Sequence, residues 1–476
     1  MSGLFPVRKR AAAGALAFVI ALIAADARAQ QAGGATTSFE EELIELLRRR
    51  GVADDAECER LRARAVEMRE RADVDRETAA RIEEMTARLA QDAPKVTHKR
   101  GAGFGFQSAD GNFSLTIGGR FQARMEYEFQ ESRDDFPNFL TPRVRLWFRG
   151  KAFDPRLTYD FQFDLGGDFP KGGVSTINFV GDDVLAPADV NTAPDSVTPT
   201  FSGADQLAEL KDAFLNYEIS GKGLQVRAGQ FKAPYSRHQL TSVGRLSFVD
   251  RSPTDRFFAA ARQKGAMLHG TFGGEKDDLF EYGAGVFDGE GENRLNDDEG
   301  LMYAARAVIN PFGATPYWDG DLRADGERDA FRAALGVNAW YHQEDGLGVN
   351  NSDAWSIGAD FAAMWRGFYL LAEAHYRETD RAAAPPSDQE LVGWFAQLSY
   401  FVVPQTLEVG VRYAEVDWEN PTTQSASREY LAVIGYYFEG HDLKAQIDFG
   451  RVENRFLSAA SVDDDWRLRL QVTLVF

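Results

Sequence analysis

The chain has 476 residues, a formal net charge of −20 and one cysteine. The negative charge argues against nucleic-acid binding, because phosphate recognition needs a basic face, and one cysteine excludes an internal disulfide. The mean hydropathy of −0.36 does not exclude a membrane barrel, because barrel strands need apolar residues only at alternate positions.

The first 29 residues have the pattern of a secretory signal peptide. Residues 8–10 are basic, residues 11–25 are apolar, and residues 27–29 form a small-x-small cleavage motif. The alternative is an uncleaved anchor helix, which needs roughly 20 apolar residues. We therefore expect cleavage after Ala29. No later segment is an apolar run long enough for a membrane-spanning helix.

Residues 38–93 predict a helical hairpin with a coiled-coil seam, flanked by linkers at 30–37 and 94–102. The second helix begins near Asp54 and repeats apolar residues every seven positions. The seam consists of Leu61, Met68, Ile82 and Leu89 with Ala65, Ala72 and Ala79. Because Asp75 interrupts it, a solvated charged helix is the alternative. Either way the region is too thin to form a catalytic domain.

From residue 103 to residue 476 the hydrophobic period changes to two. In the last strand one face carries Trp466, Leu468, Leu470, Val472, Leu474 and Phe476, and the other carries Asp465, Arg467, Arg469, Gln471 and Thr473. Charges on the second face indicate contact with water. About sixteen such segments follow one another, joined alternately by short and long links, as in barrels with short periplasmic turns and long external loops. The pattern predicts an all-β fold, an antiparallel transmembrane β-barrel of about 16 strands.

One link does not fit the alternation. Residues 310–327 are too long for a short turn, and Pro311, Gly313 and Pro316 mark them as a loop. The sequence does not say at which end of the barrel this loop lies. An even number of strands places both ends of the barrel on one side. We therefore expect the N-terminal helices and Phe476 to lie in the periplasm, with the barrel in the outer membrane of a Gram-negative-type bacterium.

Two segments of the barrel region resemble the phosphate-selective porin O and P family. One is residues 142–150 with the strand at 160–167. The other, more specific one is residues 229–234, Gly-Gln-Phe-Lys-Ala-Pro, with Arg251 and Ser252 downstream. The resemblance covers roughly 103–476. It implies an outer-membrane barrel of about 16 strands that assembles as a homotrimer, with an arginine ladder along the lumen and a constriction formed by inward-folded loops.

Arginines on the polar face of the strands agree in part with an anion path. Fixed guanidinium groups in a narrow aqueous lumen lower the barrier for anions, and their planar shape suits phosphate or carboxylate oxygens. The predicted pore-lining residues are Arg120, Arg124, Arg143, Arg145, Arg149, Arg227, Arg332, Arg412, Arg467 and Arg469. The alternative is that each arginine pairs with a luminal carboxylate such as Asp160, Asp164 or Asp448 and only stiffens the wall.

Residues 232–261 are the candidate constriction loop. Only Asp250 and Asp255 oppose their positive charge, although the chain as a whole is acidic. The basic side chains predicted to narrow the pore are Lys232, Arg237, Arg245, Arg251 and Arg256. An ordinary external loop is the alternative. Lysines in the barrel are few and scattered, which departs from the lysine cluster of phosphate-specific members and leaves the choice of phosphate open.

Other chemistry is weakly represented, and we expect no catalytic residue, metal site or cofactor. The histidines form no metal-ligand pair, and Asn293 stands where a calcium loop needs glycine. The predicted function is passive diffusion of small anionic solutes, phosphate or polyphosphate among them, through a trimer surrounded by lipid and lipopolysaccharide. One alternative is a structural barrel whose helices tether the envelope. Another is a barrel enzyme, because a Ser-His pair need not be close in sequence.

Overall fold

The computed structural model of the chain describes residues 37–129, 136–166, 208–274, 278–296, 299–344, 352–381, 389–419, 424–456 and 462–476. The chain divides into two compact units between Ala93 and Pro94. The expected signal peptide lies outside the described residues, as does the linker up to residue 36. Each unit is described by itself.

The first unit contains two helices, α1 (Thr37–Arg49) and α2 (Asp55–Asp92). A capping box starts α2, because the Asp54 carboxylate accepts the Glu57 N–H at 2.7 Å while the Glu57 carboxylate accepts the Asp54 N–H at 3.0 Å. The two helices share a small apolar core of Ile44, Leu47, Ala53, Cys58 and Leu61. No helix within the described residues combines the length and apolar character needed to cross a membrane.

The predicted seam of α2 is buried only near its start. Leu61 and Ala65 are buried, whereas Ile82 is 59% exposed. Ion pairs one helical turn apart cover other positions of α2, including Glu67–Arg71 at 3.0 Å and Glu84–Arg88 at 2.8 Å. The helix therefore forms without burying the later part of its seam.

The second unit is one antiparallel sheet that closes on itself. β1 (Lys95–Lys99) and β2 (Gly103–Gln107) form a hairpin, so the stretch 94–102 that we predicted as a linker contains a strand. Sixteen strands then form a closed barrel, because β18 pairs with β3. They are β3 (Ser114–Phe129), β4 (Phe136–Ala152), β5 (Asp154–Asp164), β6 (Glu209–Ser220), β7 (Leu224–Lys232), β8 (Arg262–Phe272), β9 (Phe280–Phe287), β10 (Met302–Ile309), β11 (Arg332–Glu344), β12 (Ser352–Trp365), β13 (Phe368–Arg381), β14 (Gln389–Val403), β15 (Leu407–Glu419), β16 (Gln424–Tyr437), β17 (Leu443–Phe456) and β18 (Val462–Val475).

The barrel closes beside the N-terminal hairpin. β2 pairs with residues 114–117 of β3, and β18 pairs with residues 120–129 of the same strand. Between them, the Gly119 N–H donates to the Phe476 carbonyl at 2.8 Å, and the Phe476 N–H donates to the Gly119 carbonyl at 3.0 Å. A side chain at Gly118 or Gly119 would overlap Phe476. Both glycines therefore leave room for the last residue.

The outward face of the barrel is an apolar band between two aromatic rows. On β12 the outward residues run from Trp355 to Trp365, ten positions apart. At a rise of about 3.3 Å per residue and a tilt of about 40°, they are separated by about 25 Å along the barrel axis. This height matches the hydrocarbon-facing band of outer-membrane barrels.

Candidate pore constriction

Most of the predicted pore-lining arginines point into the barrel and contact carboxylates. The Arg145 Nε lies 2.6 Å from Asp164 Oδ2, and an Arg469 nitrogen lies 2.7 Å from Asp448 Oδ2. Equivalent pairs join Arg149 to Asp160, Arg412 to Glu429 and Arg467 to Glu429. For these five arginines the pairing alternative describes the geometry, because a carboxylate on the next strand, or for Arg467 on the strand after it, holds each guanidinium against the wall.

The segment between β7 and β8, residues 233–261, folds into the lumen. The Glu373 carboxylate on β13 accepts the Ser236 hydroxyl at 2.7 Å and the His238 N–H at 2.6 Å. The Trp340 indole on β11 donates to the Phe258 carbonyl at 2.9 Å. The segment contains α3 (Arg237–Leu240), a 3-10 turn (Val243–Arg245) and α4 (Pro253–Phe258). The segment predicted as a constriction loop therefore lies inside the barrel, where β11 and β13 hold it.

Asp250 attaches this loop to the opposite part of the wall. Its carboxylate lies 2.7 Å from an Arg124 nitrogen, 3.1 Å from Arg143 and 3.6 Å from Arg469, so it contacts three strands. An Arg412 N–H donates to its backbone carbonyl at 2.8 Å. Burial by itself would raise the pKa of Asp250, but the three guanidinium groups hold it well below its usual range. Asp250 therefore stays charged and fixes the loop.

A second segment, residues 310–331, enters the lumen from the other end of the barrel. It connects β10 to β11 at the end where the short turns lie, which is the position the sequence left open. The Asp319 carboxylate accepts the Ser247 N–H at 3.0 Å, Gln397 Nε2 at 2.9 Å and the Tyr369 hydroxyl at 2.9 Å. The Asp319 N–H donates to the Arg245 carbonyl at 2.9 Å. The two internal segments thus contact each other inside the barrel.

Arg237 strengthens the contact between the two segments. One of its nitrogens donates to the carbonyls of Thr315 at 2.8 Å and Pro316 at 2.7 Å. Its guanidinium lies 4.3 Å from the centre of the Tyr317 ring, a cation–π distance. Arg237 is fully buried, so this predicted constriction residue joins the two segments and does not face the solute path.

Arg120 and Arg245 form no ion pair with a carboxylate among the described residues. Arg120 on β3 is only 7% exposed, and it donates to the Ser242 hydroxyl at 2.7 Å. Its Nε and one terminal nitrogen have no acceptor in the described structure. Gly244 packs against this guanidinium, with space for no side chain. Arg245 is exposed, and its guanidinium lies 5.7 Å from the Trp318 ring. The region where the two segments meet therefore contains two guanidinium groups that form no ion pair with a described carboxylate.

Two other predicted pore-lining arginines lie apart from this cluster. Arg227 on β7 stacks on Phe214 at 4.4 Å and on Phe231 at 5.4 Å. Arg332 begins β11 and donates to the Phe312 carbonyl, at the end where the short turns lie. The structure therefore gathers Arg120, Arg124, Arg143, Arg145, Arg412 and Arg469 around the loop and leaves Arg227 and Arg332 elsewhere in the barrel.

The other predicted constriction residues divide into two kinds. Lys232 donates to the Gln239 carbonyl at 2.5 Å, and Arg251 donates to the Thr241 carbonyl at 2.9 Å. These two cations stabilise the conformation of the loop by bonding its backbone carbonyls. Arg256 is exposed and lies 5.5 Å from the Phe257 ring. Arg245 and Arg256 are therefore the members of the set whose charges remain accessible.

The segment 229–234, singled out by its resemblance, forms the junction between wall and loop. Gly229 has a φ of +128°, where a side chain would overlap the Ala213 carbonyl. Gln230 is buried on the outward side, and its amide donates to the Leu210 carbonyl at 2.8 Å and accepts the Asn293 N–H at 2.8 Å. Phe231 is buried on the inward side. Sequence reasoning missed these structural roles, because the alternation alone does not show which residues lie beneath a neighbouring loop.

Within the parts of the chain that the structure describes, no group of three or more His, Cys, Asp or Glu side chains is placed to hold a metal ion.

Comparisons with known proteins agree with this architecture. A family model described as phosphate-selective porin O and P matches residues 115–476. An anion-selective porin from Comamonas acidovorans is similar in structure, with a TM-score of 0.50 and 13% identity over 76% of this chain and 100% of that chain. The outer membrane channel DcaP of Acinetobacter baumannii has a TM-score of 0.47 and 12% identity over 79% and 100% of the two chains. OmpT of Vibrio cholerae, in its trimer form, has a TM-score of 0.44 and 12% identity over 76% and 99%. No curated protein matches the chain.

Proposed function

Because the chain belongs to the phosphate-selective porin O and P family, we propose that its barrel is an outer-membrane channel whose preference for anions is set at Arg120 and Arg245. The observation that carries this proposal is the position of these two cations, where the internal segments narrow the lumen. A fixed positive charge beside a narrow path attracts anions and repels cations. The nearby carboxylates of Asp250, Asp164 and Asp448 are already held by other arginines.

The donors at the constriction suit oxygen-bearing anions. The guanidinium groups of Arg120 and Arg245 carry N–H donors of the kind that phosphate and carboxylate oxygens accept, and the Arg245 side chain is exposed. Lys232 contributes no free ammonium there, because backbone carbonyls hold it. We therefore expect passage of small anions as a class, including phosphate, without the stronger retention that a cluster of free lysines would give.

Single-channel recording with the Arg245→Glu variant tests the proposal. Two unit charges about 8 Å apart interact by about 2 kcal/mol at an effective dielectric constant near 20, so the charge reversal should lower the anion-to-cation permeability ratio several-fold. The matched control is Arg366→Glu, which reverses an exposed arginine in a short turn and should leave that ratio unchanged.

Three results would contradict the proposal. A wild-type channel that prefers cations would show that Arg120 and Arg245 do not set the selectivity. An unchanged permeability ratio in Arg245→Glu would show that Arg245 does not influence the passing ions. Absence of conductance would favour a structural barrel whose helices tether the envelope.

We also infer that three copies assemble, with their α2 helices joined along the exposed part of the seam and lying in the periplasm. The exposure of Ile82 supports this assembly, because a heptad seam gains stability when it is buried against other helices. Surrounding lipid and lipopolysaccharide would cover the apolar band. Mass measurement in detergent should give a trimer for the wild type and smaller species for Ile82→Asp, with Thr78→Asp, an exposed residue off the seam, as the control. A monomeric wild type would contradict the assembly.

A further inference from the structure

A partly enclosed cavity of about 130 Å³ lies inside the barrel, beside strands β7 to β10. Loop 233–261 and segment 310–331 also contribute to its lining. Its apolar lining residues include Pro234, Leu240, Met267 and Val308. A cavity of about 150 Å³ accommodates a benzene ring. The cavity therefore has room for a small apolar group within the lumen.

Arg227 lines this cavity and has N–H groups that no described residue accepts. Its guanidinium lies 4.4 Å from the centre of the Phe214 ring and 5.4 Å from that of the Phe231 ring. These two contacts hold the side chain in place, but no hydrogen bond or ion pair joins it to the parts of the chain that the structure describes. Nε is the one nitrogen of this side chain that is completely enclosed. The two terminal nitrogens can therefore donate to a solute.

Three cations and one carboxylate are among the residues that line the cavity. They are Arg227, Lys232, Arg306 and Glu281. Asp360 accepts two N–H groups of Arg306, at 2.5 and 2.9 Å, and so balances its charge. Glu281 accepts the Tyr317 hydroxyl at 3.0 Å. Arg227 and Lys232 against Glu281 leave one positive charge in the lining.

Two further carboxylates act on the charge of Arg227 from outside the cavity, those of Asp160 and Asp212. Each is paired with another arginine. Asp160 lies 2.6 Å from Arg149, and Asp212 lies 3.0 Å from Arg262. Because each of these carboxylates is balanced by its own cation, the cavity keeps the positive charge of its lining.

We propose that this cavity binds a small organic anion, a carboxylate with an apolar body such as benzoate, while the anion passes through the barrel. The carboxylate would accept from Arg227, and the ring would lie against Met267, Val308 and Leu240. The inference rests on the proposed function, because it requires the solute to enter the lumen. Inorganic phosphate can use the arginine but not the apolar lining, and a neutral ring can use the lining but not the charge. A solute that combines the two should therefore be retained longer than either.

The first test measures equilibrium binding to the full-length channel in detergent by isothermal titration calorimetry. Its probes are benzoate, benzamide, which keeps the ring without the charge, and inorganic phosphate, which keeps the charge without the ring. We expect the wild type to bind benzoate at least about tenfold more tightly than the other two. Arg227→Gln should bind benzoate about tenfold more weakly and benzamide as the wild type does. The control is Arg366→Gln, at an exposed arginine in a short turn, which should keep the wild-type affinity for benzoate.

A second variant tests the apolar part of the cavity and also serves if Arg227→Gln does not fold. Val308→Phe fills part of the cavity and keeps the arginine, so its affinity for benzoate should fall several-fold. Ala307→Phe is the matched control, because residue 307 lies on the outward face of the same strand. It should bind benzoate as the wild type does.

Single-channel current separates this inference from the proposed function. Benzoate added to a chloride electrolyte should cause brief closures in the wild type and fewer in Arg227→Gln. A conducting channel that does not bind benzoate would overturn the inference and leave the channel proposal standing. Equal affinities for benzoate and benzamide, or for benzoate in the wild type and Arg227→Gln, would also overturn it. Tight benzoate binding without conductance would contradict the proposed function and support the site.

Discussion

Loop 233–261 and segment 310–331 enter the barrel from opposite ends and are held there by different chemistry. Asp250 attaches the loop to arginines of three wall strands. Asp319 attaches the segment to uncharged donors, a backbone N–H, an amide and a phenol. Removing one partner of a buried ion pair costs about 3–5 kcal/mol, whereas leaving neutral donors unsatisfied costs about 1–3 kcal/mol. The loop therefore depends on the charge of the wall, and the segment depends on hydrogen-bond geometry.

The largest effect should come from removing the charge of Asp250. In Asp250→Asn, Arg124 and Arg143 each lose the ion pair that they form with Asp250, and we expect the free energy of unfolding to fall by about 3–5 kcal/mol. Denaturant unfolding in detergent micelles measures the loss. The control is Asp325→Asn, which removes a carboxylate whose side chain is 92% exposed and should change stability by less than about 1 kcal/mol. A fully stable Asp250→Asn would show that charge does not hold the loop.

A smaller effect is expected at the other anchor. Asp319→Asn replaces one carboxylate oxygen by an N–H group that faces donors, which should cost about 1–3 kcal/mol. The same unfolding measurement applies, with Asp329→Asn as the exposed control because Asp329 contacts only Arg366 in the described structure. If Asp319→Asn were more destabilising than Asp250→Asn, the contrast between the two segments would be wrong.

The smallest effect is a difference in pH dependence. Burial raises the pKa of Asp319 although its hydrogen-bond donors oppose the rise, whereas the pKa of Asp250 is lowered. A raised folded-state pKa gives stability that is fully present below the unfolded value of about 3.9 and is lost as the pH rises through the folded value. A lowered one gives stability that is present above about 3.9 and is lost as the pH falls through the folded value.

Unfolding measured at several pH values between 7 and 4.5 checks this difference. Wild type should gain stability relative to Asp319→Asn as the pH falls. Its advantage over Asp250→Asn should stay constant over the same range. Parallel pH profiles for the two variants would mean that the two carboxyl groups share one environment.

The barrel could be predicted from the sequence because every strand alternates apolar residues that face lipid with polar residues that face the lumen. Alternation of apolar and polar residues predicted an all-β barrel of about sixteen strands, and sixteen strands close it. The partner of each arginine could not be read in this way. Arg412 lies opposite Leu431 in the strand register, yet its guanidinium reaches Glu429 at 2.8 Å. Such diagonal contacts depend on side-chain direction, which a sequence pattern does not contain.

That residues 232–261 narrow the pore stays a prediction, and only some of the contacts that hold them could be predicted from the sequence. Positive charge singled out loop 232–261, but backbone carbonyls hold Lys232 and Arg251, and these acceptors are the same in every sequence. In the sequence, Asp250 was noted only as an acidic residue in a basic loop. In the structure it anchors that loop to three wall strands. Segment 310–331 was recognisable as a loop, but its composition does not show that Asp319 is buried. Donors from strands far apart in sequence decide that burial.

The hairpin of β1 and β2 has a consequence for how the cylinder can close. It pairs with residues 114–117 of β3, on the side along which β18 would otherwise extend, and Phe476 pairs with Gly119 directly beside that stretch. A slip of β18 by two residues would keep every side chain on its correct face, but it would drive the last residue into the hairpin. The hairpin therefore acts as a stop that sets the stagger of the closed barrel.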